Sequence, residues 1–457
     1  MLGLSLKEIA LLANGRLSNE EFSDIRVNVV SIDTRTIAKG EIYMPIIGEK
    51  LDGHLFINQA FDKGALASFT HKENLVDQRP FIIVDNTNEA FQRLARNFRN
   101  SLDDLKIIGI TGSNGKTTTK DIINSILKQK YHVRKTIGNL NNEIGVPRTL
   151  LRMQANTDVG IVEMGTDGPG QIHDLTMMAK PDIAIITNIG DSHLELLKTK
   201  ENIAKEKLHI IDGLSDDGYF IYNYDDPILK KELALVKPKQ KTISFGQEEG
   251  ADYHIELLRT TANGSSFKVN NKYYQISLIG SHQIYNAAAA IIVAELLGMS
   301  EDEIINGLDV KNSTSMRNEL ISCNGFDILN DSYKSNPQSL RSALDTLGYL
   351  NGYTRKIAIL GDMLELGDGE VDLHRQIGAY INPKEIDYLL LYGPLSKYIA
   401  EQARGNFPDG HVFYMEKKED LIDKAKYLII KNSIVLVKAS RSLRLEEIVE
   451  ALELINI

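Results

Sequence analysis

A lysine and three threonines, Lys116 to Thr119, follow a glycine-bearing turn in the stretch LKIIGITGSNGKTTTKDIINSIL, from Leu105 to Leu127. Phosphate chemistry needs that combination. Gly112 and Gly115 let successive backbone N–H groups turn inward around an anion, at the positive end of the following helix. Lys116 can reach terminal phosphates, and Thr117 supplies the hydroxyl that such loops give to a phosphate-bound Mg²⁺. The stretch departs from G-x-x-x-x-G-K-[ST] because Ile110 holds the first glycine position. The bland reading is an ordinary glycine turn between a strand and a helix.

Other chemistry-bearing residues are spread along the chain. In TIGNLNNEIGVPRTLL, Asn139, Asn141 and Asn142 crowd one segment, which suits hydrogen bonding to a polar ligand or plain turn chemistry. Glu163 ends the apolar run DVGIVEMG, and His193 follows the run DIAIITNIGDSHLE. A helix from Lys200 to Gly213 then carries Lys205 and Lys207. Taken singly, the acid can cap a helix, the imidazole can be a satisfied polar group, and a helix lysine is usually solvated. His282, Gln283 and Asn286 open an alanine-rich helix, where they can read a base edge or serve as caps. Near the N-terminus, Asp33, Arg35, Asp52, Gly53 and His54 lie on polar loops, as a nucleotide or sugar site needs and as solvated turns also would.

Elements must position these groups. Ile107 to Ile110 suit a buried parallel strand, and Ile122, Ile123, Ile126 and Leu127 stand at helical spacing. Glu163 and His193 both fall at strand ends, where ligands bind in open parallel sheets. A single straight helix from residue 193 to 207 would be roughly 21 Å long, so the chain must turn near Lys198 to Lys200 for Lys207 to return. The fold class expected is α/β in three domains. Residues 1–100 form a small α/β unit, 101–314 a central sheet domain with the phosphate loop, and 315–457 a doubly wound, Rossmann-like unit with strands from Phe326 to Val437.

Composition narrows the class. At 457 residues the length suggests roughly three domains. A net charge of −10 argues against broad nucleic-acid binding, which needs a basic face. The one cysteine, Cys323, forms no intramolecular disulfide and fits a reducing compartment. The N-terminus carries Lys7, Glu8 and Arg16 through its apolar positions, unlike a signal peptide, and no window holds the roughly 18 uncharged apolar residues a bilayer demands. The expectation is a cytoplasmic, monomeric protein without membrane insertion.

The ordered series DTRT, GITGSNGKTTTK, GNLNNEIGVP, VEMG, ITNIGDSHLE, IAKEK, SMRNE, NDSYKSNP, LGDMLELG and VLVKASRSLR resembles the Mur ligases, from about residue 31 to 447. GNLNNEIGVP and LGDMLELG point to the MurF type, which joins D-alanyl-D-alanine to a UDP-N-acetylmuramoyl-tripeptide. The resemblance implies ATP, two Mg²⁺ ions and a CO₂-derived lysine carbamate. Gly112, Ser113, Asn114, Gly115, Lys116, Thr117 and Thr118 would hold ATP phosphates, with Thr117 on the first Mg²⁺. Glu163, His193 and carboxylated Lys207 would hold the second. Asn286, Arg317 and Asp331 would meet the nucleotide, Ser31, Thr34 and Arg35 the uridine diphosphate, and Asn139 and Asn142 the muramoyl part. Lys334, Gln283 and Ala439 depart from the asparagine, asparagine and glycine usual in this family.

The implied chemistry activates a carboxylate as an acyl phosphate and then lets an amine displace phosphate. Carbamate formation requires a neutral amine, hence a depressed lysine pKa. The rivals are a neighbouring ligase, such as a folylpolyglutamate synthase, and a P-loop ATPase that hydrolyses ATP for motion or switching.

Overall fold

Ile107, Ile108 and Ile110 are fully buried in the strand Lys106–Thr111, which pairs in parallel with Val159–Glu163 on one side and Ile183–Ile186 on the other. This trio lies toward one side of a nine-stranded sheet, with only Val133–Lys135 beyond it at that edge. Glu163 pairs with Ile110 and Ile186 with Thr111, so the acid and the turn toward His193 both emerge beside the start of the phosphate loop. The structure, a computed structural model, describes residues 3–310, 314–455 and 457. The expected boundary segment from Val310 to Glu319 includes residues 311–313, which lie outside the described residues.

The first sheet has five strands; Val30–Ser31, Ile42–Tyr43, Ala67–Thr70 and Phe81–Ile83 run parallel, and Arg16–Leu17 pairs antiparallel with the last. Its long helix, Thr87–Asn100, buries Leu94, Ala95 and Phe98 in the same apolar cluster as Val146, Leu150 and Leu175 of the central unit. The first unit is therefore welded to the second. On the opposite face of the central sheet, Lys116–Leu127 and Gln283–Leu296 pack together, and the fully buried run Ala287 to Ala290 lets them approach closely.

Beyond Gly246 the sheet gains three strands that the sequence does not announce, Tyr253–Thr261, Gly264–Val269 and Lys272–Ile276, each antiparallel to the one before it, the first being parallel to Lys241–Gly246. The third sheet has six strands, with Phe326–Asn330, Ser433–Lys438, Arg355–Gly361, Tyr388–Tyr392 and Val412–Met415 parallel in that order and Glu319–Ser322 antiparallel at the edge. No helix among the described residues is long and apolar enough to cross a membrane.

Candidate functional site

The phosphate loop leaves its strand at Gly112 and enters its helix at Gly115, both with positive φ (147° and 81°). A Cβ on Gly112 would lie 1.9 Å from Thr187 Oγ1, so only glycine passes there. The loop is fastened to the neighbouring strand end: Thr187 Oγ1 donates to Asn114 O at 2.5 Å, and Asn114 N–H donates to Asn188 Oδ1 at 3.0 Å. Lys116 folds back over it, with Nζ 2.6 Å from Gly112 O. Burial lowers the Lys116 pKa to about 8 despite the opposing charge of Glu163.

Glu163 is 1% exposed and fully engaged. Thr117 Oγ1 donates to its Oε2 at 2.9 Å, Asn141 Nδ2 to its Oε1 at 2.9 Å, and Lys120 Nζ stands 3.3 Å from Oε2. Burial pushes the carboxyl pKa up, but the ammoniums of Lys120 and Lys116 and the Arg317 guanidinium outweigh it, and the net shift is downward. Asn141, one of the crowded asparagines suited to a polar ligand, is thus turned to the acid, and Lys120 is a partner that no sequence expectation names. The signal for Lys120 was its place three residues after Thr117, one helical turn along the same face.

His193 begins a short helix in the left-handed conformation, φ 60°. The chain turns where expected. Leu194–Leu197 ends, Lys198 takes φ 69°, and Lys200–Leu208 starts anew with Thr199 as its cap. Lys207 thereby returns to the cavity, 2% exposed, whereas Lys205 is on the outer face. No group among the described residues hydrogen-bonds or ion-pairs with the Lys207 ammonium within contact distance. Burial, reinforced by the nearby charges of Lys116 and Lys334, holds its pKa well below the usual lysine range. Its neighbour Glu206 is buried for another reason, accepting from Gly170 N at 2.6 Å and Ile172 N at 2.8 Å at the start of the earlier helix Gln171–Ala179.

Glu163, His193 and Lys207 line one cavity of about 860 Å³, together with residues 113–116 and 118 of the phosphate loop, Asn139, Asn142, Asn286, Arg317 and Asp331, while Gly112 and the buried Thr117 lie behind its lining. His193 does not touch Glu163. Its Nδ1 lies 3.0 Å from Glu365 Oε2 and 3.2 Å from Asp167, and its Nε2 lies 3.1 Å from Lys334 Nζ. Asn286 accepts from Thr119 Oγ1 at 3.2 Å, behind the loop. Arg317 stacks over Tyr333 at 4.2 Å, its Nε without a partner, and Asp331 holds the buried Lys438 at 2.6 Å. Asn142 Oδ1 accepts from Gly145 N–H at 3.0 Å, where the helix Gly145–Leu150 begins.

The third unit sits directly on the loop. Asn336 Nδ2 donates to Asn114 Oδ1 at 2.8 Å and to Ser192 Oγ at 3.0 Å, while Asn114 Nδ2 donates to Gln338 Oε1 at 2.9 Å. Elsewhere, the residues expected at the uridine diphosphate separate. Thr34 Oγ1 is turned inward to Gln59 at 2.8 Å, and exposed Arg35 pairs with Asp33 at 2.7 Å. Ser31 alone of the three lines a second cavity, about 380 Å³, between the first and central units. Arg134, Arg148 and Arg152 line that cavity, their side chains in no salt bridge or hydrogen bond among the described residues, and no sequence motif marks them.

Three family descriptions match in order: "Mur ligase family, catalytic domain" over residues 26–99, "Mur ligase middle domain" over 110–294, and "Mur ligase, glutamate ligase domain" over 316–441. The chain belongs to the Mur ligase family. Among Mur ligases it is 38% identical over 99% of both chains to the UDP-N-acetylmuramoyl-tripeptide–D-alanyl-D-alanine ligase of Bacillus subtilis, and 30% identical over 99% of both to that of Escherichia coli. The crystal structure of MurF from Acinetobacter baumannii superposes with a TM-score of 0.90 at 25% identity, covering 99% of each chain. MurF of Thermotoga maritima in complex with ADP gives 0.82 at 27% identity, covering 93% of this chain and 97% of that one.

Proposed function

We propose that this chain joins D-alanyl-D-alanine to UDP-N-acetylmuramoyl-tripeptide, consuming ATP and releasing ADP and phosphate. The relatives that share its full length carry that activity in their names. The observation that carries the reading is Lys207, buried without a partner and opening into the same cavity as the phosphate loop, Glu163 and His193. Residues 1–100 would serve the nucleotide sugar, 101–314 ATP, and 315–457 the incoming dipeptide.

In this reading the loop amides and Lys116 grip the ATP phosphates. An oxygen of the tripeptide carboxylate attacks the γ-phosphorus, the bond to the ADP oxygen breaks, and an acyl phosphate forms. The dipeptide amine, having lost its ammonium proton, attacks the acyl carbon; the C–O bond breaks, phosphate leaves, and one of the two protons left on nitrogen passes to solvent while the other remains as the amide N–H. Lys116 offsets charge on the transferring group, and the Asn336–Asn114 contact closes the third domain against water.

The donor set fits Mg²⁺: Thr117 and Glu163 present adjacent oxygens, and Glu163 stays anionic although buried. Glu163, expected with the second ion, lies 2.9 Å from Thr117 Oγ1, so these two would hold one ion and His193 with carbamylated Lys207 the other; Mg²⁺ bound there would neutralise phosphate and carboxylate charge. The neutral Lys207 amine adds to CO₂, forming an N–C bond and losing a proton to solvent. Arg134, Arg148 and Arg152, none of them in a salt bridge, would take the substrate's diphosphate beside Ser31.

The test supplies the purified chain with ATP, Mg²⁺ and panels of UDP-muramoyl peptides and dipeptides, and weighs the products by mass spectrometry. Product and ADP should appear only when both partners are present, and Lys116→Ala should abolish ADP formation. Brisk hydrolysis of ATP alone, or release of AMP, would overturn the reading.

A further inference from the structure

Outside the cleft, two imidazoles and a carboxylate from two elements converge on one point of the surface. His173 lies on the helix Gln171–Ala179, while His209 and Asp212 lie on the 3₁₀ turn His209–Gly213 that prolongs the Lys207 helix. One oxygen receives both rings: Asp212 Oδ2 is 2.7 Å from His173 Nδ1 and 2.8 Å from His209 Nδ1. The rings stand edge to face, centroids 6.0 Å apart. Ligand atoms of all three residues lie within 4.8 Å of one another, the one such group of His, Cys, Asp and Glu among the described residues. Asp174 and Glu206 add negative charge around His173.

We propose that His173, His209 and Asp212 form a site for a divalent transition-metal ion, Zn²⁺ by preference, with water completing its coordination. Two imidazole nitrogens and one carboxylate oxygen are the donors Zn²⁺ takes, whereas Mg²⁺ seeks oxygen and retains its water. Bonds of about 2.0–2.2 Å at tetrahedral angles place ligand atoms about 3.3 Å apart. The two contacts to Asp212 Oδ2, 2.7 and 2.8 Å, must therefore open by about half an ångström, which exposed side chains on a surface turn allow. The ion ties together two segments that reach the cleft, since Gln171 and Lys207, each two residues before a ligand histidine, both line the large cavity. It braces the wall that carries Lys207 from outside.

The experiment titrates the metal-free full chain with Zn²⁺ against a chromophoric chelator, with excess Mg²⁺ present to cover the cleft. The wild type should hold one equivalent that His193→Ala retains and that His173→Gln and His209→Gln each weaken by at least about tenfold. Zn²⁺ should raise the melting temperature of the wild type and of neither glutamine variant. Co²⁺ in its place should give visible d–d bands that the same two variants lack. Equal Zn²⁺ binding by wild type and both variants, or no equivalent held by the wild type, overturns the site.

Discussion

Lys334, on a loop of the third domain, places its Nζ 3.1 Å from Nε2 of His193, which ends a strand connection of the central domain. Glu365, from another loop of the third domain, grips the opposite ring nitrogen at 3.0 Å and pairs with Lys334 at 3.2 Å. His193 is thus held between a cation and an anion that both arrive across the domain boundary. The hydrogen bond to His193 holds the Glu365 carboxyl down at about 2, against its burial. Docking of the third domain and the setting of this imidazole are one event.

An ammonium beside Nε2 competes with any cation there. Lys334→Met should lower the Mg²⁺ concentration needed for half-maximal activity, while turnover falls because the contact across the boundary is lost. A Mg²⁺ requirement equal to that of the wild type would show that the ammonium and the ion do not share this place. About tenfold is the scale expected for each effect, the equivalent of one exposed-to-half-buried charge contact.

Lys207→Ala should reduce ADP formation by at least about 10²-fold, the scale for removing one preorganised charge from a closed site. Acetate or formate should restore part of it by filling the carbamate's space with a carboxylate. Activity that no short acid restores would count against the carbamate, and full activity in the variant would remove Lys207 from the chemistry.

Arg148 lines the cavity that also holds Ser31, without a salt bridge of its own. Arg148→Ala should raise the KM for the UDP-sugar peptide about tenfold or more, a loss of about 1.4 kcal/mol, and leave kcat and the KM for ATP near their wild-type values. A change confined to kcat would place the diphosphate elsewhere.

Much of this arrangement is legible in the sequence because it is local. The glycine, lysine and hydroxyl spacing gives the phosphate loop, and simple helix length gives the turn at Lys198 that returns Lys207. Strands of the third domain show as apolar runs because parallel strands are buried on both faces. The hairpin strands from Tyr253 to Ile276 lack that signal: most side chains of Tyr253–Thr261 face solvent. Long-range pairings are silent too. Nothing near Glu163 in sequence announces Lys120 or Asn141, and Glu365 reaches His193 from 172 positions away only because the third domain docks. Thr34 shows the converse, a hydroxyl in a suggestive motif that the fold spends on Gln59.

His374 supplies a pH test of that docking loop. It is fully buried, donates Nδ1–H to Glu370 O at 2.6 Å and accepts from Met363 N–H through Nε2 at 3.0 Å, a pattern that only the neutral ring can satisfy. Burial lowers its pKa from 6.5, outweighing the Glu370 carbonyl. The unfolded chain therefore binds a proton at 6.5 that the folded chain refuses, so stability is fully present above 6.5 and declines as pH falls below it. Losing the Nε2 acceptor costs about 1–3 kcal/mol. Met363 and Glu365 share one loop, so the Met363 amide should lose hydrogen-exchange protection, corrected for the intrinsic rate, as pH drops below 6.5, and His374→Gln should flatten that slope. Protection of Met363 that stays constant through this range in the wild type would show that the loop is held by other contacts.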